Sequence, residues 1–413
     1  MPLVDMRDML NHAYHNNYAI GGFGLVSLDF LEAIIKAAES CRSPVILNLS
    51  EPLFNQHDFR LIIPAVERAA HQAKIPVAIH FDHAKKHESI AEAINLGCNS
   101  VMLDVSSESF TDNITQTSRA VALAHACGAA IEGMLGFVGG MEGENAVNHL
   151  GEVIYTSAEE AKAYVDRTGI DFLAVSIGTL HGRQHSRIKL DFKRLKRIND
   201  EIGIPLVLHG GSGLVEDQYH KLILNGVAKI NCYTELSDIA AATIYSNVQT
   251  RARKGYIEVL QGVTENLFEQ IKQWMHLWGS AGRAAEVLIQ CRPWQPAEQI
   301  ILCCVESHRL RQLDALIEQG RKTLMAIPGV RQIFSGWASS ELNQYRLCWR
   351  IQLSHSDAIN NLQSDPEYTY FFNQLSRSIG PEKVSITFAP ASSNTEFGFK
   401  ESVDASPVLA PDC

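Results

Sequence analysis

Pro76-Val77-Ala78-Ile79-His80-Phe81-Asp82-His83 opens on a helix-stopping residue, runs through a short β-rich segment and ends on two ionisable side chains. The same order recurs throughout residues 1–240. Segments 18–24, 44–50, 76–81, 99–104, 129–135, 171–177, 205–209 and 227–232 make eight candidate strands. Between them lie helix-like stretches, such as 89–96, or 28–40 with Ile34, Ile35, Ala37 and Ala38 on an apolar face. Pro44, Pro76, Gly128, Gly169, Pro205 and Gly226 stop the preceding helices. Strands that alternate with helices pair in parallel through crossovers, and eight such units fit a closed (β/α)8 TIM barrel, an α/β fold. An open doubly wound sheet is the other arrangement that periodicity allows.

The chain has 413 residues, more than the ~250 that one such barrel takes up. With 36 Lys and Arg against 46 Asp and Glu, the net charge of −10 excludes a broadly basic nucleic-acid binder. Neutralising phosphates needs clustered cations. Mean hydropathy is −0.05, and no apolar run reaches the ~18 residues of a membrane helix. The first residues carry Asp5 and Asp8 where a signal peptide would have a basic and then an apolar stretch. Nine cysteines without C-x-x-C spacing suit reduced thiols better than a disulfide framework. A soluble cytoplasmic protein is expected, with neither nucleic acid nor membrane as partner.

In a barrel of this kind the strand exits carry the chemistry. Here they read Ser50, Asp82-His83, Asp104, Glu132, His181-Gly182, His209-Gly210-Gly211-Ser212-Gly213, and Asn231 with Thr234. A lone histidine at such a place is more often an ordinary polar residue. Three of them, His83, His181 and His209, on separate strands suggest a catalytic metal site with an open position, zinc first. His80 sits within its strand and reads as a barrel residue with a hydrogen-bond partner. The glycine run after 205–209 is in general more often a flexible turn. Its place after the seventh strand, where barrels often bind phosphate, favours an anion cradle.

These stretches resemble the class II, zinc-dependent ketose-bisphosphate aldolases of the fructose- and tagatose-bisphosphate type. The likeness covers roughly residues 3–284 and includes Ser100-Val101-Met102-Leu103-Asp104, Ser176-Ile177-Gly178-Thr179-Leu180-His181-Gly182 and Gly226-Val227-Ala228-Lys229-Ile230-Asn231. It implies zinc held by His83, His181 and His209, with Asp82 as acid/base on the C4 hydroxyl of the sugar. It also implies phosphate or substrate binding by Ser50, Gly182, Gly210, Gly211, Ser212, Asn231 and Thr234, near a monovalent cation (Na+ or K+). Glu142 falls at the family position for proton transfer on the three-carbon unit, while Asp104 and Glu132 would orient the histidines. The implied reaction cleaves or forms the C3–C4 bond of a phosphorylated ketose through a dihydroxyacetone phosphate enediolate.

Three positions depart from the family pattern. Phe23 is followed by Gly24 instead of Asn, the second Glu of Glu-Ala-Glu-Leu-Gly is Met134, and Tyr233 replaces a small or acidic residue. The phosphate-contacting Arg of the family has no assured counterpart, although Arg251 and Arg253 are near its place. These changes point to an altered phosphorylated substrate. The competing reading is an impaired barrel that senses or scaffolds a phosphorylated metabolite.

After Arg292-Pro293-Trp294-Gln295-Pro296 the pattern changes, dividing the chain into a barrel at 1–290, a smaller domain at 297–390 and a Ser- and Pro-rich tail at 391–413 expected to be disordered. Strands at 300–305, 330–337, 345–353 and 383–388, with helices at 308–326, 356–362 and 368–377, give a ferredoxin-like order. Ile327-Pro328-Gly329-Val330, Gly336 and Asp365-Pro366 resemble the stress-responsive dimeric α+β-barrel family. That resemblance implies pairing through sheets, hence a homo-oligomer, dimer or tetramer. His308, His355 and Tyr368 would be the polar residues of a second active site, the bifunctional alternative.

Overall fold

The computed structural model describes residues 2–51, 58–136, 154–179, 189–250, 255–306, 313–340, 344–379 and 383–389. Eight parallel strands follow one another around a closed barrel. They are β1 (Ile20–Gly24), β2 (Val45–Ser50), β3 (Val77–Ala84), β4 (Ser100–Leu103), β5 (Ala130–Leu135), β6 (Phe172–Val175), β7 (Leu206–Leu208) and β8 (Val227–Cys232). β8 pairs with β1, which excludes the open sheet.

Every residue of these strands is buried. A strand covered on both faces reads as a continuous apolar run. Inside the barrel Ile46, Ala78, Ala130, Phe172 and Val207 pack together. The alternate residues Leu47, Ile79, Ile131 and Leu173 face the helices. Helix starts are capped by short polar side chains: Ser109 accepts from the amide of Asp112, and Ser157 from that of Glu160. The eight described cysteines are all free thiols.

The C-terminal part forms a separate antiparallel sheet of β9 (Ala297–Cys303), β10 (Val330–Trp337), β11 (Leu347–Leu353) and β12 (Lys383–Phe388), in the order β10-β11-β9-β12. Helices Asp314–Met325, Ala358–Ser364 and Pro366–Ile379 cover one face, where Trp349 packs on Phe371 and Phe372. Cys303 is part of that packing. Tyr368 donates to Gln299 Oε1 at 3.3 Å. His308 and the tail lie outside the described residues.

This sheet docks against the end of the barrel where strands begin. The Gly329 amide donates to Asn95 Oδ1 at 2.7 Å, and Ser354 Oγ to the Cys127 carbonyl at 2.9 Å. Asn95 lies in the helix leading to β4, and Cys127 in the turn before β5. Gly329 has φ +88°, and a Cβ there would stand 2.8 Å from Ala358 Cβ and 3.2 Å from Cys127 Sγ. Both its backbone conformation and the close junction therefore require glycine. His355 stacks on Trp294 with ring centroids 6.1 Å apart, so it belongs to this junction.

Arg331 Nη2 meets Glu67 Oε2 at 2.5 Å across the same junction. Burial alone would raise the Glu67 carboxyl, but hydrogen bonds from His71 and Arg331 and the guanidinium charge hold it at about 2. Because the folded value lies below the unfolded one, the pair's contribution is complete above the ordinary glutamate range and fades as pH falls toward 2. Glu67→Gln is expected to cost roughly 2 kcal/mol at pH 7 and progressively less below pH 4. Denaturant titration of both proteins across that range checks this, and a pH-independent difference would contradict it.

Candidate active site

Successive residues of a strand normally face opposite sides. At the end of β3 the pairing with β4 slips between Phe81 and Ala84, and His83 has φ +54°. This bulge brings the side chains of Asp82 and the adjacent His83 to the same side, with Asp82 Oδ2 3.8 Å from His83 Nε2. A non-glycine residue in the left-handed region costs on the order of 1 kcal/mol, which surrounding contacts must offset. Asp104 provides them: its amide donates to the Ala84 carbonyl at 2.8 Å, and its Oδ2 lies 3.0 Å from His83 Nδ1. Lys85 Nζ approaches the same oxygen at 2.8 Å. Burial opposes ionisation of Asp104, yet the hydrogen bond and charge of His83, with Lys85, hold its carboxyl far below the usual range.

Asp82 is fully buried, and its Oδ2 accepts from Asn48 Nδ2 at 2.8 Å and Asn231 Nδ2 at 3.0 Å. His83 Nε2 stands 3.8 Å from the same oxygen. Burial alone would raise the Asp82 carboxyl, but the charges of His83, Lys229 and His209 keep it well below the ordinary value. On the opposite side Glu132 joins two strands. Its Oε1 lies 2.8 Å from His209 Nε2, and its Oε2 is 2.7 Å from Lys229 Nζ. All three are completely buried. Burial again opposes the Glu132 charge, and Lys229 with His209 overcomes it.

His80 does have the partner expected of it, Ser100 Oγ at 2.8 Å from Nδ1. Its Nε2 also lies 3.5 Å from Asp82 Oδ1 and 3.6 Å from Glu132 Oε2. Burial and the nearby Lys229 charge depress its pKa, favouring the neutral ring.

The His83 and His209 rings meet edge to face at 4.8 Å, and together with Asp82 they bring ligand atoms within 4.8 Å of one another. Asp104 lies at His83 Nδ1 and Glu132 at His209 Nε2, which fixes both rings, while Asn231 Nδ2 stands 3.5 Å from His209 Nδ1 and Asp82 Oδ2 3.8 Å from His83 Nε2. Carboxylates behind imidazoles are the usual support for a divalent metal such as zinc. The residues present fit such an ion. His181, Gly182 and Glu142 lie outside the described residues, as do Arg251 and Arg253.

The glycine loop follows β7, with Gly210 at φ +67° and the Gly211 carbonyl accepting from Tyr219 Oη at 2.6 Å. Ser212 Oγ is 4.0 Å from Cys232 Sγ, and Thr234 starts the helix Thr234–Gln249 after β8. Among the described residues, the buried atoms Asn48 Oδ1, Ser50 Oγ, Asp82 Oδ1 and Asn231 Oδ1 have no hydrogen-bond partner. They gather at the exits of β2, β3 and β8, the arrangement expected of polar atoms kept for a ligand.

Asn48 and Lys229 were not singled out as site residues in the sequence. Each is a polar residue in the middle of a strand buried on both faces, and that was the available signal. Met134 is one of the three departures from the family pattern. It is 2 % exposed and packs in the barrel interior with Phe172 and Ala174.

Residues 4–283 match the family model described as fructose-bisphosphate aldolase class-II. A fructose-bisphosphate aldolase of Staphylococcus epidermidis is 38 % identical over 289 residues, 69 % of this chain and 100 % of that protein. One from Staphylococcus aureus is 37 % identical over the same coverage. The solved structure of the YdjI aldolase from Escherichia coli K12 superposes with a TM-score of 0.61 at 33 % identity, covering 68 % of this chain and 99 % of that one. The chain belongs to the class-II fructose-bisphosphate aldolase family.

Proposed function

We propose that the barrel cleaves or forms the C3–C4 bond of a phosphorylated ketose, with dihydroxyacetone phosphate as the three-carbon partner. The observation that carries this reading is the buried meeting of Asp82, His83 and His209 beside orphaned polar atoms. His83, His209 and, from the family resemblance, His181 would hold zinc. When bound, zinc supplies a Lewis acid for charge on the substrate oxygens.

Asp82 is the base for the C4 hydroxyl. Asn48 and Asn231 fix its carboxylate, which stays ionised at neutral pH and can accept the proton during cleavage and return it during condensation. The C4 oxygen's electrons then form the aldehyde, and the C3–C4 pair stays with the three-carbon fragment. Glu142 carries the proton at that fragment. Asp104 and Glu132 hold the two histidine rings in their orientation. Ser50, Gly182, Gly210, Gly211, Ser212, Asn231 and Thr234 bind the substrate and its phosphate, with Na+ or K+ nearby.

Release of dihydroxyacetone phosphate from ketose 1-phosphates and 1,6-bisphosphates tests this. Cleavage abolished by a chelator and restored by zinc is expected; chelator-resistant cleavage would overturn the zinc assignment.

The same reading divides the chain at 1–290 and 297–390, and places the protein in the reducing cytoplasm that its free thiols suit. No described helix is long and apolar enough to cross a membrane. The smaller domain serves assembly, pairing with a second copy through the sheet face that no described helix covers. That face presents Phe334, Ile386 and Phe388, each about half exposed. Ile386→Glu with Phe388→Glu is expected to halve the sedimenting mass of the full chain, and an unchanged mass would contradict it.

A further inference from the structure

Asp104 divides one oxygen between two partners. Its Oδ2 lies 3.0 Å from His83 Nδ1 and 2.8 Å from Lys85 Nζ, and the same ammonium donates to the Asp104 carbonyl at 3.1 Å. The second oxygen, Oδ1, accepts from the amide and the hydroxyl of Ser106 at 3.2 and 2.7 Å. Both oxygens are thus engaged, and the charge on Oδ2 is shared between an imidazole inside and an ammonium outside. The side chains of His83 and Asp104 are 8 % and 12 % exposed, that of Lys85 56 %.

Lys85 is anchored in this place by its backbone. It directly follows Ala84, the last residue of β3, whose carbonyl accepts from the Asp104 amide at 2.8 Å. The Lys85 amide in turn donates to Glu51 Oε2 at 2.7 Å, and Ser89 Oγ donates to Glu51 Oε1 at 2.5 Å. Glu51 follows the last residue of β2, so the two strand exits are tied together. The proposed reaction makes no use of Lys85.

A carboxylate behind a metal-binding imidazole makes the ring a better donor and strengthens metal binding. An ammonium on the same carboxylate oxygen takes back part of that effect. We propose that Lys85 is a positioning residue that acts through Asp104 on His83 and holds the zinc affinity of the site below what Asp104 and the histidines alone would give.

This inference rests on the zinc assignment of the proposed function. Zinc affinity of the full chain, measured by competition with a zinc-binding dye, separates their failures. Lys85→Met keeps the aliphatic stem, removes the charge and should tighten zinc about threefold, the scale of a half-exposed ion pair. Asp104→Asn should weaken zinc by roughly tenfold or more, as for a lost partner behind a ligand. Beside Asp104→Asn, Lys85→Met should lose its effect, and Lys85→Arg should keep wild-type affinity. A merely structural lysine would give the opposite sign, since its loss would loosen the bulge at His83. Weakened or unchanged zinc binding in Lys85→Met overturns the inference and leaves the zinc assignment standing. So does tightening that persists in full beside Asp104→Asn. A wild-type chain that takes up no zinc overturns the assignment and this inference with it.

Discussion

Asp82→Asn is expected to lower kcat for carbon–carbon cleavage about a thousandfold, the middle of the range for a lost general base, while the protein keeps its zinc. Asparagine preserves the shape that fits between Asn48 and Asn231, yet its amide cannot take a proton from the C4 hydroxyl. His83→Ala should be equally inactive for a different reason. On the proposed function it removes one of the zinc ligands, and it leaves Asp104 without its 3.0 Å partner, so bound zinc should fall as well. Kinetics and metal analysis on the same preparations separate the two. Asp82→Asn protein that remains active, or that loses zinc as fully as His83→Ala, would refute the division of roles.

The second large effect is on stability. Lys229→Met leaves the Glu132 carboxylate fully buried without its 2.7 Å partner. Removing one member of a buried ion pair typically costs about 3–5 kcal/mol, because the other charge stays buried and uncompensated. Adding Glu132→Gln removes that charge and should return much of the loss. Denaturant titration of the full chain should therefore show a severe single and a milder double substitution. A single substitution as mild as a surface change would mean that Lys229 does not sustain the Glu132 charge.

The sequence made the barrel legible because proline and glycine punctuate its strands and ionisable residues mark their exits. Closure was not legible, since the β1–β8 pairing joins residues more than 200 positions apart. Barrel strand ends could be read to within two residues, except that apolar content could not reveal the bulge carrying β3 three residues further, to Ala84. His83, His209, Asp104 and Glu132 are brought together as expected. Asn48 and Lys229 were hidden, because a buried polar residue looks like an interruption until the partner on another strand is known. That Gly24 and Tyr233 are neighbours was equally hidden: two departures 209 positions apart meet only through the β1–β8 closure.

The most direct test of the central claim is hydrogen exchange with solvent at the methylene carbon of dihydroxyacetone phosphate, followed by NMR with the full chain. It needs no knowledge of the aldehyde partner. Exchange that vanishes on chelation and returns with zinc is the predicted result; zinc-loaded protein that catalyses no exchange would contradict it.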